Sequence, residues 1–82
     1  MHESSLMTGL MRRIAEIARE HHAARVSAVD LKVGALLSIT ADHLRHHFVE
    51  AAHGGAAEGA RVNVRFTDEL TGLELESVEV ES

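Results

Sequence analysis

Three residues at the start of the chain, Met1-His2-Glu3, hold the densest set of metal donors in the sequence. Initiator methionine is removed chiefly ahead of small residues, so the bulky His2 is expected to keep Met1 in place. A free terminal amine then stands one residue before an imidazole. The amine nitrogen, the His2 amide nitrogen and the His2 ring nitrogen can close fused chelate rings on one ion. The Glu3 amide or its carboxylate supplies the fourth donor. A planar, nitrogen-rich field of this kind selects Ni(II) or Cu(II) over Zn(II) and Mg(II). Glu3 also suits a position near a helix N-terminus, where negative charge is favoured. The competing reading is a frayed terminus with an incidental histidine.

Histidine is in excess, with seven in the chain: His2, His21, His22, His43, His46, His47 and His53. His43, His46, His47 and Glu50 fall three and four residues apart, which on a helix brings side chains within reach of one ion. The plainer reading of that group is a solvated polar helix face that binds metal only adventitiously. His21-His22 reads as the structural close of a helix, where polar or positive side chains are favoured. With no cysteine anywhere, thiolate zinc sites and disulfides are excluded, so structural zinc is not expected. No nucleophile is paired with a base at a recognisable spacing, and no glycine-rich loop follows a strand. The alternating glutamates of ELESVEVE are what the solvent face of a strand looks like. An enzyme is not expected.

Positioning such donors requires a frame, and the hydrophobic spacing predicts one. Leu6, Met7, Leu10, Met11, Ile14, Ile17, Ala18 and His21 form one apolar helical stripe, with Ser4 or Ser5 as cap, over about residues 5 to 22 or 23. Residues 25–36 alternate as a half-buried strand, with Val29, Leu31 and Val33 on one face and Ala28, Asp30 and Lys32 on the other. Thr40 caps a second helix over 41–52, with Leu44, Phe48, Ala51 and Ala52 inward and His43, His46, Glu50 and His53 outward. HGGAAEGA (53–60) is a loop. A second strand, ARVNVRF, places Val62, Val64 and Phe66 on one face, and TDELTG (67–72) reads as the connection of a hairpin. In the third strand, LELESVEVES, the alternation slips near Glu76-Ser77. Either a β-bulge restores one apolar face, or the two ends of the strand face different layers. The expected fold is α+β: two amphipathic helices packed on a small three-stranded sheet in the order α-β-α-β-β, as one domain over 1–82.

Bulk composition narrows the partners. Hydrophobic residues at 45% and charged residues at 26% match a globular chain. A formal net charge of −5 argues against nucleic acid or an anionic membrane surface. The apolar start runs into Arg12-Arg13, the reverse order of a secretory signal, and nothing approaches a membrane span, so a cytoplasmic location is expected. Phe48 and Phe66 are the only aromatic residues. The core is therefore thin, and with an exposed last strand it leaves room for a homodimer.

Taken together, MHESSLM, the helix ending in AREH, RVSAVDLKVGAL, LSITADHLRHHF, GARVNVRF and LELESVEVES resemble, in this order, the HypA/HybF family of nickel metallochaperones for [NiFe]-hydrogenase maturation. The resemblance implies Ni(II) carried at Met1, His2 and Glu3 through the terminal amine, the His2 imidazole and backbone nitrogens. It also implies a HypB-type GTPase and a hydrogenase large subunit as partners. Family members normally insert a zinc module with two Cys-x-x-Cys pairs between the last two strands; here TDELTG stands in its place. SITADHL also lacks the proline and glycine common at that point. Two alternatives accompany this expectation: a metal-free interaction module that docks on a maturation partner, and a zinc or nickel buffer built on His43, His46 and His47.

Overall fold

In the computed structural model, residues 3–82 are described, with side chains from Ser5 onward. The chain runs α1 (Glu3–Glu20), β1 (Arg25–Val33), α2 (Ala41–Ala52), β2 (Arg61–Phe66) and β3 (Leu73–Glu81). The expected α+β class and element order are therefore observed. Met7, Leu10, Ile14 and Ala18 of the α1 stripe are buried. The helix begins at Glu3, so Ser4 and Ser5 lie inside it rather than capping it, and it ends at Glu20, two or three residues sooner than the spacing suggests. His22 takes a left-handed conformation (φ 52°). Ala23 N donates to Ala18 O (2.8 Å) and His22 N to Arg19 O (3.1 Å). These two bonds make a Schellman cap, with His22 in the place usually taken by glycine. The pair His21-His22 does close the helix, but the turn carries His21 off the apolar stripe and into solvent.

β1 lies in the middle of a sheet of order β2-β1-β3. It pairs in parallel with β2, from Ala28↔Arg61 to Val33↔Phe66, and antiparallel with β3. A parallel pair needs a crossover, and α2 supplies it. The expected hairpin between β2 and β3 is therefore wrong: those strands are the two edges, and 67–72 passes over the end of β1 instead. Sequence proximity suggested the hairpin, whereas three bonds across β1 show the crossing. Thr67 N donates to Val33 O (2.9 Å), Gly34 N to Gly72 O (2.8 Å) and Ala35 N to Glu69 O (2.8 Å).

The slip in β3 is a β-bulge, the first of the two expected alternatives. Asp30 pairs with Ser77 and Leu31 with Leu75, which leaves Glu76 as the extra residue. Leu73, Leu75, Val78 and Val80 consequently all pack against the core on one face. A second bulge at Ser27 separates Val26↔Val80 from Ala28↔Glu79. The core lies between this face and the helices, with Phe48, Ile14, Leu31, Leu44, Val26, Val29 and Val33 almost fully buried. Phe66 does not join Val62 and Val64 there: at the end of edge strand β2 it is 53% exposed.

The other face of the sheet is polar and cross-linked. Asp30 accepts from Asn63 Nδ2 (2.8 Å) and from the Ser77 hydroxyl, spanning all three strands. Lys32 pairs with Glu74 (3.0 Å) and Glu69 (3.3 Å), and Arg65 pairs with Glu76. The Ser77 and Asn63 hydrogen bonds hold the Asp30 carboxyl below its usual range, and the Arg65 guanidinium does the same for Glu76.

Two outcomes follow from these contacts. A Cβ at Gly34 would lie 2.0 Å from Thr71 Oγ1 and 2.2 Å from Thr71 O, so the crossing segment must shift to admit it. Gly34→Ala is expected to cost about 1–3 kcal/mol in urea unfolding. Because the folded pKa of Asp30 is depressed, its contribution is present above the unfolded value and is lost as pH falls through the folded one. Urea midpoints should decline on acidification below about pH 4, and Asp30→Asn should make that decline shallower.

Candidate metal centre

Among the described residues, the candidate donors predicted from sequence lie on α2. Thr40 sits outside α2 in an extended conformation (φ −85°, ψ 159°), and its hydroxyl accepts from His43 N at 3.1 Å. That cap fixes the helix start. Leu44, Phe48 and Ala52 then fall on the buried side, while His43 and His46 lie in solvent and His47 is half-buried at the border. The four-residue spacing stacks His43 over His47, with ring centroids 4.6 Å apart and planes within 20° of parallel. Their Nε2 atoms approach to 2.8 Å, a contact in which one ring donates and the other accepts.

The remaining histidines take other partners. His46 Nε2 lies 3.3 Å from Glu50 Oε1, one turn on, and meets His47 edge-on at a centroid distance of 6.1 Å. His53, the C-cap of α2, has Nδ1 2.8 Å from Glu58 Oε2. Glu58 also accepts from Gly54 N at 3.2 Å, which ties down the loop after α2. The structure thus brings His43 and His47 together and turns His46 toward Glu50. Among the described residues, no group of three or more histidine, aspartate or glutamate side chains is arranged to hold an ion.

Met1 and His2, and the side chain of Glu3, lie outside the described residues; what is described is where the chain enters α1. Met7 and Thr8 line a shallow depression with His47, Glu50 and Ala51. One turn further on, Met11, Ile14 and Ala15 line another with Ala51, Ala52 and Gly55. The two helices therefore run side by side in the same direction. Extending that register back one turn sets the start of α1, at Glu3, level with His43 near the start of α2. This coincidence is absent from the sequence, because it depends on how α2 lies across the sheet.

Sequence reasoning placed Asp30 and Lys32 on a solvent face but could not find their partners Asn63, Ser77 and Glu74. Those pairings follow from the strand order and from the bulge at Glu76. The only local signal was the broken alternation in β3.

A family model described as HypA, hydrogenase/urease nickel incorporation, metallochaperone, matches residues 1–72. The chain is similar to the hydrogenase maturation factor HypA of Rhodopseudomonas palustris (strain BisB5), with 39% identity over 64 residues, 78% of this chain and 57% of that protein. It is similar to the HypA of Archaeoglobus fulgidus at 36% identity over 64 residues, 78% of this chain and 58% of that one. The chain thus spans less than two thirds of the length of the curated relatives it matches. Its fold is that of the solution structure of the Ni metallochaperone HypA from Helicobacter pylori, with a TM-score of 0.83 at 14% identity over 100% of this chain and 99% of that one.

Proposed function

The chain belongs to the HypA family of nickel-incorporation metallochaperones, and from that premise we propose that it binds one Ni(II) at Met1, His2 and Glu3 and passes it on during hydrogenase maturation. The observation that carries this reading is that the family match begins at residue 1 and so includes the Met1-His2-Glu3 opening. Supporting it, α1 starts at Glu3, the last of the three donor residues. The Met1 amine and the His2 amide and imidazole provide three nitrogens, and the Glu3 amide or carboxylate completes a plane. Such a field prefers Ni(II) or Cu(II). Here nickel is cargo, and a chelate at a chain terminus suits release because a receiving protein can displace its donors one at a time.

The partners proposed are a HypB-type GTPase and a hydrogenase large subunit. Copper wins over nickel on intrinsic affinity in such a field, so selectivity rests on availability and on docking. No helix among the described residues is long and apolar enough to cross a membrane.

A second reading, docking on a maturation partner without metal, has one observation in its favour. Leu36, Phe66 and Leu70 are 69%, 53% and 78% exposed, and all three lie on segments gathered at the end of β1.

Calorimetric titration of Ni(II) into untagged protein with a native N-terminus separates the two readings. The metallochaperone reading expects a tight one-to-one event that disappears in His2→Ala, and that weakens below about pH 6 as protons compete for the ligands. A titration with no tight event, or hydrogenase maturation that proceeds undiminished with His2→Ala, would leave the docking reading.

A further inference from the structure

We propose that His43 and His47 form a second nickel position, a two-imidazole clamp on the surface of α2, distinct from the terminal chelate and level with the start of α1. Its role beside the terminal site rests on the reading above.

Three features support it. First, the bite fits. Two nitrogens bound at about 2.0 Å to one ion are about 2.8 Å apart when they subtend a right angle, and about 3.3 Å apart at a tetrahedral angle. The His43 and His47 Nε2 atoms are 2.8 Å apart, the edge of a square-planar or octahedral ion. The rings stack within 20° of parallel, so each must turn to aim its lone pair at the ion. The broad terminal torsion of histidine makes that turn inexpensive.

Second, the pair is held by its helix. Thr40 fixes the first turn of α2 through His43 N, and Leu44 and Phe48, each 1% exposed, anchor the opposite face. The four-residue spacing is therefore rigid, with His43 exposed and His47 half-buried one turn on. Third, location and donor count agree with a separate ion. The terminal amine, the His2 amide and imidazole and the Glu3 amide or carboxylate already fill a plane, leaving no vacancy in it for two further imidazoles. A bidentate clamp completed by water holds an ion of its own, more weakly. Such an ion lies level with the start of α1.

Nickel titrations of four full-length proteins with native N-termini test this: wild type, His2→Ala, His43→Gln/His47→Gln, and the triple variant. Each is followed by calorimetry and by the NMR signals of the histidine rings. The clamp predicts two events in wild type, the weaker one surviving in His2→Ala. Octahedral Ni(II) is paramagnetic, so that event broadens the His43 and His47 ring signals. The double variant should keep the tight event and lose the weak one, and the triple variant should bind nothing. His43→Gln alone, at an exposed position, should weaken the second event by roughly tenfold or more.

The clamp is overturned if His2→Ala binds no nickel, or if its residual binding is indifferent to the glutamine substitutions. The terminal reading fails separately if His2→Ala titrates as wild type while the double variant binds nothing.

Discussion

Almost every other feature of the molecule depends on the position of β1 at the centre of the sheet. A central strand must satisfy hydrogen bonds on both edges, and β1 does so with a parallel neighbour on one side and an antiparallel one on the other. The parallel pairing forces a crossover, which makes α2 a covering helix and lays it on the same face as α1. The antiparallel pairing sends 67–72 over the end of β1, where Gly34 leaves room for Thr71. Val29, Leu31 and Val33 lie at 0–1% exposure beneath both helices. The small core is thus organised around one strand rather than around its single buried aromatic ring, Phe48.

That arrangement also brings the start of α1 and His43 to one end. Because α1 and α2 run in the same direction, their N-termini lie at the same level, each marked by an acidic residue, Glu3 opening α1 and Asp42 in the first turn of α2. Asp42 offsets the positive end of α2, which would otherwise oppose a cation there. Among the described residues, no polar or charged side chain is buried in the core beneath the helices. The polar face of the sheet has a different character. Its charges are paired across strands, as Lys32 is with Glu69 and Glu74, and serve to hold the strands in register.

Much of the fold was legible in the sequence. The bounds of α2 follow from Thr40 and from the spacing of Leu44, Phe48 and Ala52; the bulge in β3 follows from the broken alternation at Glu76-Ser77. Both are local signals, because a cap and a period depend on residues a few positions apart. The end of α1 was misplaced because a Schellman turn does not require glycine, and His22 adopts the left-handed conformation without that marker. Phe66 was assigned inward by parity, which is correct for a strand covered along its length but fails at the end of an edge strand. The Met1-His2-Glu3 donors needed no fold to be recognised, since a chelate of consecutive residues is built by the covalent chain.

Sequence alone therefore determined the element types and most of the apolar faces, which rest on short-range helical and strand geometry. Tertiary structure decided which strand is central, that β2 and β3 lie apart as edges, which cations meet which carboxylates, and that the start of α1 lies level with His43. Those facts are set by strand pairing between residues dozens of positions apart, where competing registers bury similar apolar area and only the packing of the whole chain chooses among them.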